Sequence, residues 1–406
     1  MNNRKPPSTL YLSLDGIMEP LGRSQVLKYL EKLSKNYQIN LLTFEKDADL
    51  QNSDLLKETH DQCNRHNICW HKIRYRSGLK GFGQFCNVLN LLVMPAYIMA
   101  RKKILLVHIR SYMPGIVIPF LSIFFKFKLI FDIRGFWPDE KHDRLNWSKT
   151  SSKYKFFKHL EKYLFKKADH IVTLTEESKK IISKKFFKPT SLIAVIPTCV
   201  DIMEFRSSGN FIKNLNKKAS ITIGYLGSVD TAYDFKKFMF LLKQIREYTN
   251  SKINLNLKIF TKKDPKYISN LLAENHVFGF NLDIRFVTRD RLPSEITKLD
   301  ILTFCLKENF SIKASMPTKI AEVLACGKPI LCNAFNKDIE KLINNNSIGL
   351  IYNFIDNFGI TDYQKLISLI ENEDTKKQCE NVAKTYFSLN DGFEKYDKIY
   401  SQLAIK

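Results

Sequence analysis

Ser315-Met316-Pro317-Thr318-Lys319-Ile320-Ala321-Glu322-Val323-Leu324-Ala325-Cys326-Gly327-Lys328-Pro329 reads as a polar loop, a helix, a stop and the beginning of a strand. Pro317 suits the first turn of a helix, where its missing N–H leaves nothing unsatisfied, with Ser315 or Met316 at the cap. Gly327 ends the helix and Pro329 keeps it from resuming. Ile320, Val323 and Leu324 recur at i, i+3 and i+4 and form the apolar face. Thr318, Lys319 and Glu322 lie on or near the first turn. Free N–H groups and partial positive charge attract phosphate there, and a hydroxyl and a lysine add to that pull. A carboxylate one turn further in, at Glu322, suits the hydroxyls of a sugar instead. The expectation is a nucleotide site, with phosphate at the helix tip and ribose against Glu322. The plainer alternative is a capped surface helix with Lys319 and Glu322 paired across one turn.

Outward from that stretch, apolar β-branched runs alternate with helical patterns. Strands are expected over 10–14, 39–44, 68–73, 105–109, 129–133, 170–174 and 192–196. Helices are expected over 24–35, 87–101, 115–125, 152–167 and 176–185. The alternation predicts a parallel sheet covered on both faces. Residues 205–219 are polar and rich in Asn, Lys, Ser and Gly, a linker composition. The alternation then restarts, with strands at 221–224 and near 255–260, 284–287, 301–304, 329–332 and 349–352, and closes on a helical stretch over 361–403. The fold class expected is α/β: two doubly wound Rossmann-like domains facing a cleft. The first is expected over 1–205 and the second over 206–387, with a C-terminal helix over 388–406 packing back towards the first. A chain of 406 residues exceeds one typical core and fits two domains.

The formal net charge is +23, and the excess is uneven. Residues 1–206 carry 35 Lys and Arg against 19 Asp and Glu, whereas 207–406 carry 29 against 22. A field of this sign favours an anionic partner, either nucleic acid or an acidic membrane surface. No RNA-binding or helix-turn-helix signature is visible, and the lysines are dispersed through α/β elements, which argues against nucleic acid. Six lysines over 153–167 surround Phe156, Phe157, Leu160, Tyr163 and Leu164, the pattern of a basic amphipathic helix on an anionic membrane or of a core helix with a solvated lysine face. Arg76–Gln84, with Gly78, Gly81 and Gly83, suggests a mobile loop near that surface. The N-terminus has no signal-peptide core. The apolar runs 87–100, interrupted by Pro95, and 115–125 are read as too short to span a bilayer. The eight cysteines are scattered, and reduced thiols in a cytoplasmic protein are expected. Cys63, His66 and Cys69 supply three metal ligands with no fourth at a suitable spacing, so no metal is expected.

Loops after the strands of such sheets carry the chemistry. After the first strand, Gly22 precedes a helix, so its backbone can approach a phosphate or sugar; Arg23, Ser24 and Gln25 follow it. No GxGxxG is present, which weakens a dinucleotide reading. Arg110 follows another strand, and Asp132, Arg134, Phe136 and Trp137 cluster at the next. One carboxylate, two arginines and two aromatics suit a polar ligand with flat faces, and a loop salt-bridge cluster is the alternative. In the second half, Gly227 and Ser228 end a strand, Tyr233 follows, and Lys262, Lys263 and Lys313 are placed to gather around a diphosphate or to remain solvated surface charges.

In this order and spacing the segments at 14–25, 131–140, 168–175, 195–201, 227–233 and 315–329 resemble the family 4 (group 1) glycosyltransferases of GT-B architecture. The resemblance covers most of the chain. It implies transfer of a sugar from a nucleotide sugar to an acceptor with retention at the anomeric carbon, without a bound metal or other cofactor. The second domain would hold the donor and the first the acceptor. Glu322 matches the second glutamate of the family's paired-glutamate motif, placed near the donor ribose. Thr318 and Lys319 would lie by the diphosphate, with Ser315 and Pro317 leading into it, and Gly22 would match the glycine-rich loop beside the leaving group. Arg23, Ser24, Gln25, Arg110 and Trp137 would face the acceptor. Asp132 is an alternative base if the departing phosphate oxygen does not take the acceptor's proton. The first glutamate of the motif falls at Ala314. The Arg and Lys that many members place after the first strand of the second domain fall at Ser228 and Tyr233. A histidine of the first domain falls at Arg134. Neutralising the diphosphate then rests on Lys313, Lys319 or Lys262. A glycan or lipid-linked acceptor in cell-surface polysaccharide or lipopolysaccharide synthesis fits the basic first half and a position on the inner face of the plasma membrane. An epimerase on the same fold, a nucleic-acid-binding protein and a non-catalytic scaffold are the alternatives.

Overall fold

The computed structural model describes residues 6–77, 82–206, 220–230, 232–249, 253–355 and 357–404. Gly78, Gly81 and most of the expected linker, 207–219, lie outside the described residues. The chain forms two compact units, one of Met1–Pro197 with Leu389–Lys406 and one of Thr198–Ser388.

The first unit is built on seven parallel strands: β1 (Ser8–Ser13), β2 (Gln38–Glu45), β3 (Cys69–Arg74), β4 (Ile104–Arg110), β5 (Lys128–Asp132), β6 (His170–Thr173) and β7 (Ile193–Val195). They lie in the order β3-β2-β1-β4-β5-β6-β7. Leu10, Leu12, Leu41, Val107, Ile109 and Phe131 are buried along the central strands, as expected of a sheet covered on both faces. The order reverses between β1 and β4, which opens a crevice beyond the carboxyl ends of those strands. The helix Leu389–Ala404 reaches the same place from the far end of the chain: the Tyr396 hydroxyl donates to Asp132 Oδ2 at 2.8 Å, and the Tyr400 hydroxyl lies 2.9 Å from His108 Nδ1.

The second unit repeats the plan with six parallel strands: β8 (Ser220–Leu226), β9 (Asn254–Phe260), β10 (Phe280–Arg285), β11 (Ile301–Phe304), β12 (Ile330–Cys332) and β13 (Gly349–Ile351), in the order β10-β9-β8-β11-β12-β13. The helix Thr318–Ala325 connects β11 to β12, and Gly327 closes it with a left-handed φ of 70°. A side chain is strained in that conformation, and glycine is not.

Four sequence expectations are corrected here. The units divide between 197 and 198 rather than after 205, because the short helix Ile202–Phe205 packs on Thr318–Ala325 and the Cys326 thiol donates to the Phe205 carbonyl at 3.1 Å. β10 lies four residues before the expected 284. The helix expected from 87 begins at Phe82: Asn87 is buried and its amide exchanges hydrogen bonds with the Arg76 backbone, at 2.9 and 3.0 Å. The resulting helix Phe82–Arg101 has 20 residues and is long and apolar enough to cross a membrane by length and composition, contrary to the sequence reading.

Candidate active site

The order of the second sheet reverses between β8 and β11, and a cavity of about 590 Å³ opens at the carboxyl ends of β8, β9 and β10. Eight residues singled out from the sequence line it: Gly227, Ser228, Tyr233, Lys262, Lys263, Thr318, Lys319 and Glu322. Phe260, Thr261 and Phe286 are also in its walls. Lys313, Ser315 and Pro317 do not line it. Lys313 sits in the turn Ser311–Ala314, and the Ser315 carbonyl accepts from Asn336 Nδ2 at 3.2 Å. Pro317 is itself the cap of the helix, one residue later than the expected Ser315 or Met316, with extended backbone and no capping side chain. The first-turn N–H groups of Thr318–Ala325 therefore have no side-chain cap of their own.

Lys319 is buried, and its ammonium donates to the Leu226 carbonyl at the end of β8. It lies 3.8 Å from the centroid of Tyr233, 5.1 Å from that of Tyr225 and 5.2 Å from that of Phe304. Ring faces attract a cation that has lost part of its water. Burial nevertheless pushes the amine down to about 7, with the Glu322 carboxylate pulling the other way. Gly227 passes directly beneath it: φ is 109°, and a Cβ there would stand 3.1 Å from Lys319 Nζ. A Gly227→Ala variant is expected to carry about 1–3 kcal/mol of backbone strain and to displace the ammonium. Thermal melts with and without nucleotide sugar would show both a lower melting temperature and weaker binding. An unchanged protein by both measures would mean that the loop is not held in this form.

Glu322 is buried at the helix's second turn and accepts from Arg289 Nη1 at 3.1 Å. Burial raises its carboxyl above the usual range, and Arg289 opposes that. Arg289 also donates to Glu204 through Nε at 3.0 Å and lies over the Phe205 ring. Around the mouth, the Ser228 hydroxyl donates to Asp230 Oδ1 at 2.6 Å, and Lys263 pairs with Asp230 at 2.8 Å. Lys262 lies 5.7 Å from the centroid of the exposed Phe286 ring.

In the first unit, Asp132 has no exposed surface. Besides Tyr396 it faces Arg110 Nη1 at 3.5 Å, His108 Nε2 at 3.9 Å and, from Oδ1, Arg134 Nη1 at 3.9 Å. Burial alone would raise its carboxyl, but Arg134, His108 and Arg110 outweigh it and hold the group at about 2. A carboxylate so enclosed is arranged to position Arg110 and Arg134 rather than to take a proton from a bound molecule. Arg134 itself has a left-handed φ of 53°, as does Ser111 beyond β4 at 68°. Non-glycine residues in that region at strand ends mark a backbone held in place by its surroundings. Removing the Tyr396 hydroxyl, as Tyr396→Phe, is expected to cost about 1.5–3 kcal/mol, since it bonds a buried charge. The folded carboxyl lies below its unfolded value, so the contribution is present above about pH 4. It is lost as pH falls towards the folded value of about 2. Urea unfolding at pH 7 and pH 3 should therefore give a smaller difference between variant and wild type at the lower pH.

The loop after β1 is organised by a group the sequence reading missed. Glu45, fully buried at the end of β2, accepts from the Ile17 and Met18 N–H groups at 3.0 and 3.2 Å and from the Thr43 hydroxyl at 2.6 Å. Gly22 is buried against this loop: a Cβ would meet the Gly16 carbonyl at 1.9 Å. The glycine there admits the chain's own backbone, which corrects the expectation that it opens space for a phosphate or sugar. Arg23 is drawn away to the helix Ser53–Arg65, donating to Glu58 at 2.9 Å and Thr59 at 3.0 Å. The Ser24 hydroxyl bonds back to the Leu21 carbonyl, and Gln25 is buried in a wide π-type turn over Arg23–Leu27. Arg110 is buried, with Nε on Asp15 at 3.3 Å. Trp137 is half-buried among Tyr112, Trp147 and Phe157.

Of the functional residues that sequence reasoning missed, Arg289, Phe286 and Asp230 flank the second-unit cavity. Arg289 carries no local signal, since its partners Glu204 and Glu322 are 85 and 33 residues away. Phe286 had a faint one, an aromatic immediately after a strand. Among the described residues, no group of three or more His, Cys, Asp or Glu is placed to hold a metal ion.

Residues 25–204 match the family model of Glycosyltransferase Family 4. No curated protein sequence matches the chain significantly. Solved structures match over nearly its whole length. Sucrose-phosphate synthase from Thermosynechococcus elongatus is 14% identical, covering 98% of this chain and 99% of its own, with a TM-score of 0.69. HepE of Anabaena, in complex with UDP-glucose, is 13% identical, covering 98% and 100%, with a TM-score of 0.65. WaaG, a glycosyltransferase involved in lipopolysaccharide biosynthesis, is 14% identical, covering 97% and 99%, with a TM-score of 0.65. At this identity the structures show the fold, which is GT-B.

Proposed function

We propose that this chain, a glycosyltransferase of the family 4 type on the GT-B fold, transfers a sugar from a nucleotide-sugar donor to a glycan or lipid-linked acceptor with retention and without a metal. The pathway proposed is cell-surface polysaccharide or lipopolysaccharide synthesis at the inner face of the plasma membrane. The observation that carries the reading is the buried Lys319, its ammonium held in the second-unit cavity between Leu226 and Tyr233. The family resemblance leaves Ser228 and Tyr233 where many members have cations. Here a lysine on the adjacent helix brings one to the same cavity, and the tyrosine supports it through its ring. The UDP-glucose complex of the structurally similar HepE supports a nucleotide-sugar donor.

The chemistry follows from charge. As the glycosidic bond to phosphate breaks, negative charge grows on the departing diphosphate. Lys319, Lys262 and the open first turn of Thr318–Ala325 would meet that charge in a partly water-free cavity, where such donors act most strongly. Glu322 would accept from the ribose hydroxyls. The acceptor hydroxyl would attack from the face the leaving group departs, and its proton would pass to the departing phosphate oxygen. Asp132 would act from behind, holding Arg110 and Arg134.

The test is thermal stabilisation by UDP-, GDP- and ADP-sugars, on wild type and Glu322→Ala. A ligand at a hundred times its dissociation constant adds about 2.7 kcal/mol. One nucleotide series should stabilise wild type and lose most of its effect in the variant. A folded protein that responds to none of them would overturn the reading.

A further inference from the structure

The helix Phe82–Arg101 places Phe82, Phe85, Leu89, Val93 and Tyr97 on one stripe, and all five are exposed, Phe85 by 63% and Val93 by 53%. The short helix Ile118–Phe124 packs beside it and adds Phe120, Ile123 and Phe124, exposed by 42%, 74% and 64%. Scattered exposed apolar residues are ordinary, but eight large ones on two adjacent helices form a patch that water does not favour. The opposite face of the long helix, with Leu91, Pro95, Ile98 and Met99, is buried in the first unit.

The helix cannot cross a bilayer in this fold. It connects β3 to β4, and both strands belong to one continuous sheet, so its two ends stay on the same body. A helix with one face packed on a folded unit and an apolar face outward lies in an interface instead. The charge of the surrounding sequence says which interface. Residues 62–131 contain eleven Lys and Arg and no Asp or Glu. Arg101, Lys103, Lys126 and Lys128 are exposed at the ends of the two helices, with Arg101 lying over the Tyr97 ring at 4.5 Å. A protein partner would be met by charges of either sign. Lys128 pairs with Asp169 at 2.9 Å, but Arg101, Lys103 and Lys126 leave the rim with cations in excess, which complements the acyl boundary and headgroups of an anionic bilayer.

We propose that the stripe Phe82–Tyr97 together with Phe120, Ile123 and Phe124 is the surface by which this protein docks on an anionic membrane. This rests on the membrane-facing reading of the acceptor given above and moves the contact away from the lysine-rich helix Ser152–Lys167. On that helix Lys158 is spent on the buried Asp139 and Glu161 and only Phe156 among the aromatics is largely exposed.

Cosedimentation of the full chain with phosphatidylcholine vesicles, with and without a quarter of phosphatidylglycerol, tests it. Binding is expected to the anionic vesicles and to weaken at high salt. Phe85→Ser with Phe124→Ser should weaken it by about tenfold or more, at unchanged circular dichroism and melting temperature, because both side chains are exposed. Lys153→Glu with Lys162→Glu, on the other helix, should leave most of the binding in place. If the second pair abolishes binding and the first does not, the surface assigned here is wrong while a membrane-bound enzyme stands. If no vesicle is bound, both readings fall. A wild-type dimer in light scattering that Phe85→Ser with Phe124→Ser turns into monomer, without vesicle binding, would assign the stripe to a second copy of the chain and overturn the proposal.

Discussion

Replacing Lys319 by methionine is expected to weaken nucleotide-sugar binding and lower turnover by about 10²–10³-fold, the scale of losing one preorganised charge at a reacting centre. The methionine fills the same space among Tyr225, Tyr233 and Phe304, so the fold should survive; burying a lysine costs desolvation that a thioether does not. The wild-type protein should also show a proton signature. Burial holds the free amine at about 7, so at pH 8 much of it is neutral. An anionic diphosphate favours the charged form and raises that value, so binding at pH 8 takes up a proton. Affinity should therefore fall as pH rises through 7 to 9. Calorimetry at pH 8 in buffers of different ionisation enthalpy should reveal an uptake that approaches one proton and vanishes in Lys319→Met. Equal uptake in both proteins would place the titrating group elsewhere. In the unliganded protein the sign is opposite for stability: the folded amine lies below its unfolded value, so folding releases a proton between about pH 7 and 10, and stability rises across that window.

Arg289→Met is expected to add an acid-side loss of donor binding to the alkaline-side loss that Lys319 imposes. Arg289 holds the buried Glu322 carboxylate at 3.1 Å and counters the rise that burial imposes. Without it Glu322 shifts further towards the protonated form, which accepts fewer ribose hydrogen bonds. Donor affinity in the variant should then fall towards acid pH, where the carboxyl is protonated, and recover as the carboxylate ionises, until loss of the Lys319 proton lowers it again. Below pH 7, wild type should change far less from this group. The lost bond to a charged partner should also cost about 2 kcal/mol of stability. Arg289→Lys keeps the charge but not the two-pronged bridge to Glu204 and Glu322, so it should restore the pH profile more than the stability. A loss of affinity that is the same at every pH would make Arg289 a structural brace only.

What the sequence alone determined about this protein is whatever depends on near neighbours. The alternation of apolar strands with amphipathic helices announces two parallel sheets, and the sheets found are parallel in full. The helix Thr318–Ala325 ends at Gly327 because a left-handed residue is needed there, a demand legible from one glycine. The strand Ile301–Phe304 and the helix Ser152–Lys167 lie where their periodicity puts them. The gathering of Ser228, Tyr233, Lys262, Thr318, Lys319 and Glu322 follows from the same logic, since loops after parallel strands share one end of the sheet.

The tertiary structure decided what each of those side chains faces. Lys319 reads either as a phosphate ligand or as a surface partner of Glu322, and in the fold Leu226, 93 residues earlier, takes its ammonium. Asp132 reads as an available base until Tyr396, 264 residues later, closes over it. Lys158 belongs to a lysine-rich face by sequence and is paired with the buried Asp139 and Glu161 in space. Gly22 looks open to a ligand and is filled by the Gly16 carbonyl. The start of Phe82–Arg101 was hidden because Asn87 looks like a polar boundary, whereas its amide satisfies the Arg76 backbone inside the unit. In each case a polar group has several ways to satisfy its hydrogen bonds or charge. Local spacing restricts which are possible, and only the fold, by removing water, fixes the one that is made.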